Sequence, residues 1–408
     1  MTIATDTTNP SFKSGRALAI IIFAGCVVAG MSYGVRFSFG VFLQPISADL
    51  GWGREVFALS IAIQHLVWGA AQPLAGVIAD RYGSGRMLVI GCLMYAAGTA
   101  FMAWASSPIV AHITAGMLVG FGTAGCGLWI AFAAVGRVVP PERRTFALGI
   151  VSVGASAGQF IMVPIGQAFL DAYGWQTAFL LLALCALAML PMAWPLRGKP
   201  ATADTSQQSF REAMREAARH RGFLLLNAGF FVCGFHVIFM ATHLPAYLVD
   251  RGLPADVGAW TLGTIGLMNI FGSFMAGVLG DRMSKKGLLC LLYLGRAVAI
   301  TAFVMLPATP LNAIIFAITM GLVWLSTVPV TSALVAQIFG IQYLGTLFGI
   351  VFFSHQVGAF LGAWLGGYLY DLTGSYDTIW WINIALGIFA AIIHYPIDER
   401  PIERVAHA

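Results

Sequence analysis

An all-α membrane protein of twelve transmembrane helices, built as two pseudo-symmetric bundles of six, is the fold class the sequence predicts. Three observations carry that prediction. Apolar residues are 59% of the 408 and charged residues only 10%, with a mean hydropathy of +0.83; soluble domains carry about 25% charged residues. Twelve apolar runs reach the roughly 20 residues that a spanning helix needs. A charged turn from Gly76 to Arg86, with Asp80-Arg81 at its centre, returns 201 residues later from Gly277 to Gly287, centred on Asp281-Arg282. An Asp-Arg pair pinned between apolar runs belongs at a membrane surface, since neither charge tolerates hydrocarbon.

In chain order the spans are expected at about 17–43, 56–79, 87–105, 109–135, 145–170 and 175–195, and then at 222–248, 257–280, 287–306, 311–333, 345–370 and 378–396. This divides the chain into a first bundle, 1–196, a polar linker, 197–221, and a second bundle, 222–408. The linker carries Phe210-Arg211-Glu212-Ala213-Met214-Arg215-Glu216, an amphipathic segment suited to the plane of the membrane surface. The polar start of the chain, with Lys13 and Arg16, leads into a span too long for a cleaved signal.

Charge placement gives the orientation. Eighteen of the 22 Lys and Arg fall in the tails and loops of one side, and only Arg54 and Arg251 on the other. By the positive-inside rule both termini are cytoplasmic and the chain is a multi-pass protein of the inner membrane. The +5 net charge is spread over short clusters between spans, so it is no nucleic-acid footprint. Six cysteines lie inside apolar runs without metal-type spacing and read as small buried residues; no metal and no cofactor is expected.

The halves align at an offset of 200: Gly34 with Gly234, Pro45 with Pro245, Gly158 with Gly358, Gly166 with Gly366 and Asp171 with Asp371. Parallel repeats of this kind set a substrate site near the bilayer midplane, between the halves. Glycines at 116, 120, 122, 125 and 127 of span 4 fit close helix packing better than substrate contact.

The turn Gly76-x-x-x-Asp80-Arg81-x-Gly83 resembles the loop 2–3 signature of the major facilitator superfamily, with its second copy where that family carries loop 8–9. The resemblance covers nearly the whole chain and implies a transporter working by alternating access, usually a monomer, and no enzyme. It also implies a conformational lock made by Asp80, Arg81 and Arg137, with Asp281 and Arg282 in the second half; Asp80 would meet the start of span 11 near Gly345. Span 1, around Tyr33-Gly34-Val35-Arg36, and span 5, ending Asp171-Ala172-Tyr173-Gly174-Trp175, are similar to the bacterial monocarboxylate-type and oxalate/formate-type branches. Three departures stand out. The Asp/Arg pair of animal monocarboxylate carriers is here Asn269 and Ser273, the helix 4 Arg of many proton-coupled carriers is Gly116, and the Gly-Pro-Gly-Gly block of drug antiporters is absent.

Charges inside the membrane point to the cargo. All 17 acidic residues fall in tails, loops or span ends, so Arg36 has no carboxylate partner in its span. A guanidinium keeps its charge and must face water, carbonyls or an anion. A small organic anion, held by bidentate hydrogen bonds, is the economical partner; the alternative is an Arg snorkelling to headgroups about 10 Å away. The repeat equates Arg36 with His236, which is expected across the cavity and could carry a proton, as could His65 and His355. Polar stripes add His65, Trp68 and Gln72 in span 2, Asn269 in span 8, and His355-Gln356 in span 11. The resembled fold places helices 2 and 8 on the cavity, so with Tyr33 these are candidate substrate contacts, or else helix–helix glue. Arg296, in span 9, is expected to be structural. Electroneutral uptake of anion and proton avoids work of about 2.3 kcal/mol per charge per 100 mV. Anion exchange without a proton, efflux of hydrophobic compounds, and a non-transporting sensor are the alternatives.

Overall fold

A computed structural model of the chain describes residues 15–198, 210–340 and 342–402. Lys13, Arg404 and the linker residues 199–209 lie outside the described residues. The spans are α1 (Gly15–Leu50), α2 (Arg54–Tyr82), α3 (Ser84–Trp104), α4 (Pro108–Val138), a stretch Arg143–Ala193 that holds α5 and α6, α7 (Arg221–Asp250), α8 (Ala255–Arg282), α9 (Lys285–Met305), α10 (Pro310–Phe339), α11 (Leu344–Thr373) and α12 (Asp377–His394). Helices α5 and α6 meet at Gly174, whose φ of 75° and ψ of 167° suit only a residue without a Cβ. The linker segment Phe210–Arg219 is a helix, as its pattern of charges and alanines predicts.

Packing repeats between the halves. Helix α1 lies against α5 as α7 lies against α11, and α8 against α10 as α2 against α4. Two glycines make the first pairing possible: a Cβ at Gly158 would strike the Gly30 carbonyl, and one at Gly358 the Phe231 carbonyl. In lipid, where apolar burial gives helices no preference for each other, such backbone approach supplies the contact. Between halves, α2 packs on α11 and α5 on α8. Gly69 receives the Gln356 side chain there, and Gly266 the Gln159 side chain, which is the same contact made twice.

Both α4 and α10 are interrupted. Helix α4 breaks at Gly127, which is extended at φ −83° and ψ −175°. Helix α10 stops at Val323 and resumes at Thr327. A break within a membrane strands backbone groups that must find partners inside the protein. Arg296 of α9, fully buried, meets that need: its Nε donates to the Val323 carbonyl at 2.9 Å, and Nη2 donates to the Trp324 carbonyl. The negative end of the first half-helix thus faces the guanidinium. On the other side of the break Asn269 Oδ1 accepts from the Leu325 N–H at 2.9 Å. Arg296 therefore has the structural placement expected of it.

Candidate functional site

The halves are closed over one face and part over the other. On the face of the α1–α2 turn, Arg54 donates to both Asp250 oxygens, at 2.5 and 2.7 Å, and to the Tyr376 hydroxyl at 3.0 Å. Tyr376 in turn donates to Nδ1 of His243 (3.1 Å), whose Nε2 donates to the Ala363 carbonyl (2.7 Å). Burial holds the Tyr376 phenol above its ordinary range, so it keeps the proton it donates. Asp371 accepts from the backbone N–H groups of Arg54 (2.9 Å) and Glu55 (2.8 Å), a carboxylate at the positive end of α2. Trp364 donates to Glu55 at 2.7 Å. Helices α2, α7, α11 and the start of α12 are thereby tied across the two halves. The sequence reading did not anticipate this network; the signal for it was Arg54, one of two basic residues on its side, facing a chain in which Asp371 is a repeated position.

At the opposite, basic face, Gly76, Gly149, Gly277, Gly345 and Gly349 all look onto open space. Among the described residues no ion pair joins the halves there. Asp80 is exposed and reaches Arg137 only at 4.0 Å, while Arg137 donates to Ser84 Oγ at 2.5 Å. Arg81 stands over its neighbour Tyr82, and Asp281 and Arg282 are exposed. The contact between Asp80 and the start of α11 is not made in this state.

Arg36 lies between these faces. It is 6% exposed and does not reach a headgroup layer. The rings of Tyr33, Phe37 and Trp68 lie 4.7, 4.8 and 4.8 Å from its guanidinium carbon. Among the described residues its one side-chain hydrogen bond is from Nη1 to His65 Nε2, at 3.1 Å, and Nε is buried without a partner. No ion pair among the described residues includes it. From His65 the network crosses to the second half: Nδ1 lies 3.3 Å from Gln356 Oε1, which also has His355 Nδ1 at 3.2 Å. Gln356 Nε2 remains unpaired. Beneath Arg36 a cavity of about 10 Å³, room for one water, is bounded by Gly40, Ile61, His65, Ala241 and Thr242.

On the basic side of this cluster stands an aromatic partition. Phe352 is 5.2 Å from Trp68 and 5.3 Å from Trp129, and Trp129 is 5.8 Å from Phe348. Trp129 Nε1 is a buried donor without an acceptor. Two unpaired donors, Arg36 Nε of α1 and Gln356 Nε2 of α11, thus lie in this cluster among apolar rings, with Trp129 Nε1 of α4 beyond Phe352. Such a set accommodates an acceptor-rich anion.

Of the candidate residues, Tyr33, Arg36, His65, Trp68, His355 and Gln356 come together, and three do not. His236 faces away from Arg36: its Nε2 donates to the Asn383 carbonyl of α12 at 2.8 Å. Asn269 bonds Ser156 of α5 (3.0 Å) and the α10 break, so it joins helices. Gln72 accepts from Trp68 Nε1 at 2.8 Å and orients that ring. Of the span 4 glycines, Gly116 and Gly120 pack on α2 and Gly122 and Gly125 on α3, as expected, whereas Gly127 is the break in α4 and packs on no other helix. Phe352 and Trp129 were missed, since aromatic residues in apolar spans carry no pattern that marks them out.

Comparison with known proteins adds the following. The family model described as Major Facilitator Superfamily matches residues 23–328 and 260–408. The uncharacterized MFS-type transporter YcxA of Bacillus subtilis is 25% identical over 95% of this chain and 97% of its own. Monocarboxylate transporter 13 of Rattus norvegicus is 25% identical over 88% of this chain and 83% of its own. Among solved structures, a bacterial homologue of the human lysosomal transporter Spinster, inward-facing and unoccupied, superposes with a TM-score of 0.71 at 17% identity, covering 93% of this chain and 94% of that one. A D-xylose-proton symporter superposes with a TM-score of 0.70 at 15% identity, over 95% and 99%. At these identities the structures speak to the fold alone.

Proposed function

The chain belongs to the major facilitator superfamily, and on that premise we propose that it is a secondary carrier of a small monocarboxylate, taken up with a proton by alternating access. One observation carries the reading: Arg36 is a buried, permanent cation whose only side-chain hydrogen-bond partner among the described residues is an uncharged imidazole. Leaving such a charge uncompensated in a low-dielectric site is costly, and a carboxylate cargo completes it. The relatives named as monocarboxylate transporters support this substrate class.

In this reading Arg36 holds the carboxylate, Gln356 adds a donor from the second half, and Tyr33, Trp68 and Phe352 flank the apolar body. The first bundle, 1–196, and the second, 222–408, rock about the site, with 197–221 as the connection. The positive-inside bias puts the basic face in the cytoplasm, so the open face is the cytoplasmic one and the Arg54 network closes the outside. A monomer suffices for this cycle.

Uptake of labelled acetate, lactate, pyruvate, benzoate and succinate into proteoliposomes, with and without an imposed pH gradient, tests the proposal. Monocarboxylates should enter and accumulate when the outside is acidic. Transport of lipophilic cations with no uptake of any acid would overturn the substrate class.

A further inference from the structure

We propose that His65 carries the proton, and that it takes the proton only once an anion has drawn Arg36 away; this rests on the carrier reading above. Hydrogen-bond direction forces the exclusion. A guanidinium can only donate, so at the 3.1 Å contact with Arg36 Nη1 the His65 Nε2 must be the acceptor, without a proton. The ring's single proton then sits on Nδ1 and is donated to Gln356 Oε1. His355 donates to the same oxygen, which fixes the amide with its NH₂ turned away.

A proton added at Nε2 would set N–H against N–H and place an imidazolium beside the guanidinium. The groups facing His65 offer no relief. Helix α1 presents Arg36 and Tyr33, and α11 presents His355 beside the neutral Gln356. Helix α4 brings only His112, held by Ser60 on the α2 face turned to α4. No carboxylate stands among them.

An anion reverses this. When its carboxylate takes the Nη1 donor, Nε2 is freed, and the guanidinium charge is cancelled next to it. A proton from water binds Nε2, and imidazole becomes imidazolium beside a neutral guanidinium–carboxylate pair. One negative and one positive charge then cross together. At the open face the anion leaves, Arg36 returns to Nε2, and the proton is expelled to water. Anion and proton each raise the other's affinity, as linkage requires.

His65→Gln separates this mechanism from the carrier reading. Glutamine keeps an acceptor for Arg36 and a donor for Gln356 and cannot be protonated. Pyruvate and benzoate serve as probes. Wild-type proteoliposomes should show counterflow at equal pH, accumulation under an inward proton gradient, and a half-saturating concentration that rises up to about tenfold per pH unit once pH exceeds the loaded site's pKa. H65Q should lose gradient-driven accumulation and the pH slope while still exchanging labelled anion in counterflow at a reduced, measurable rate, whereas His112→Gln, outside the site, should retain all three. H65Q accumulating like wild type would overturn the proposal. Should H65Q lose counterflow too, calorimetry of benzoate binding in two buffers of different ionisation heat decides. Wild type must take up about one proton and both H65Q and His65→Asn none; a proton taken up by either variant overturns it. Absence of wild-type counterflow with both probes would sink the carrier reading itself.

Discussion

Arg54 and Asp250, 196 residues apart, meet across the two halves through hydrogen bonds of 2.5 and 2.7 Å. Their side chains are only 9% and 22% exposed, so the pair is largely removed from solvent screening. Removing one partner from a mostly buried pair costs about 3 kcal/mol or more. Because the pair exists only while this face is shut, Arg54→Ala and Asp250→Ala should shift the population toward the state open on that face by roughly 100-fold. Cysteines placed near Thr242 and labelled by an impermeant thiol reagent would report the change; unchanged labelling would mean that the pair does not hold the face closed. Asp371→Asn, which leaves a neutral cap on α2, should have the same effect at about 1 kcal/mol.

Arg36→Lys and Arg36→Gln test the anion site. Lysine keeps the charge as a point and loses the planar fork, while Gln loses both. Truncating one member of a buried, hydrogen-bonded charge pair costs about 2–5 kcal/mol. Uptake relative to wild type should fall at least about 30-fold for Gln and by a smaller but clear factor for Lys. A Lys variant transporting at the wild-type rate would show that charge alone suffices and that paired hydrogen bonds contribute nothing.

Much of this molecule was legible in its sequence, for a physical reason. Lipid allows only helices of about one length, so the spans could be counted, and the repeat Gly158/Gly358 marked the helix contacts because only glycine admits them. Arg36 was visible as a charge in the wrong solvent. The direction in which a side chain leaves its helix was not legible. His236 shares a repeat position with Arg36, yet bonds Asn383, because the two halves differ in what stands behind that position: Tyr95 in the first and Arg296 in the second. The Arg54 network was hidden because its members come from four separate chain segments, each ordinary at a membrane surface.

Arg296 and Asn269 are expected to matter for stability and not for the substrate. Both serve the interruption of α10, where the Val323 and Trp324 carbonyls and the Leu325 N–H have no helical partner. Arg296→Met should orphan those carbonyls, and Asn269→Leu the amide, each at about 1–3 kcal/mol. Thermal unfolding of detergent-purified protein should shift down for both, with the half-saturating anion concentration of the surviving fraction unchanged. A changed affinity at wild-type stability would place the break in the binding site instead.

The number of charges on the cargo follows from what surrounds Arg36. A second carboxylate on the same molecule would have to lie among Tyr33, Phe37, Trp68 and Phe352, beyond which Trp129 offers a single neutral N–H. Of the other buried guanidinium groups among the described residues, Arg54 is paired with Asp250 and Arg296 is already engaged by Val323, Trp324, Thr327 and Cys233. Burying an unpaired carboxylate costs several kcal/mol, so a dicarboxylate is expected to bind at least about 100-fold more weakly than a monocarboxylate of similar length. An apolar or aromatic body gains from the same rings, by about 25 cal/mol for each Å² it removes from water. In competition against labelled pyruvate, benzoate should therefore inhibit at lower concentration than acetate, and succinate should not inhibit. Strong inhibition by succinate would show that a second cation, such as the protonated His65, reaches its second carboxylate.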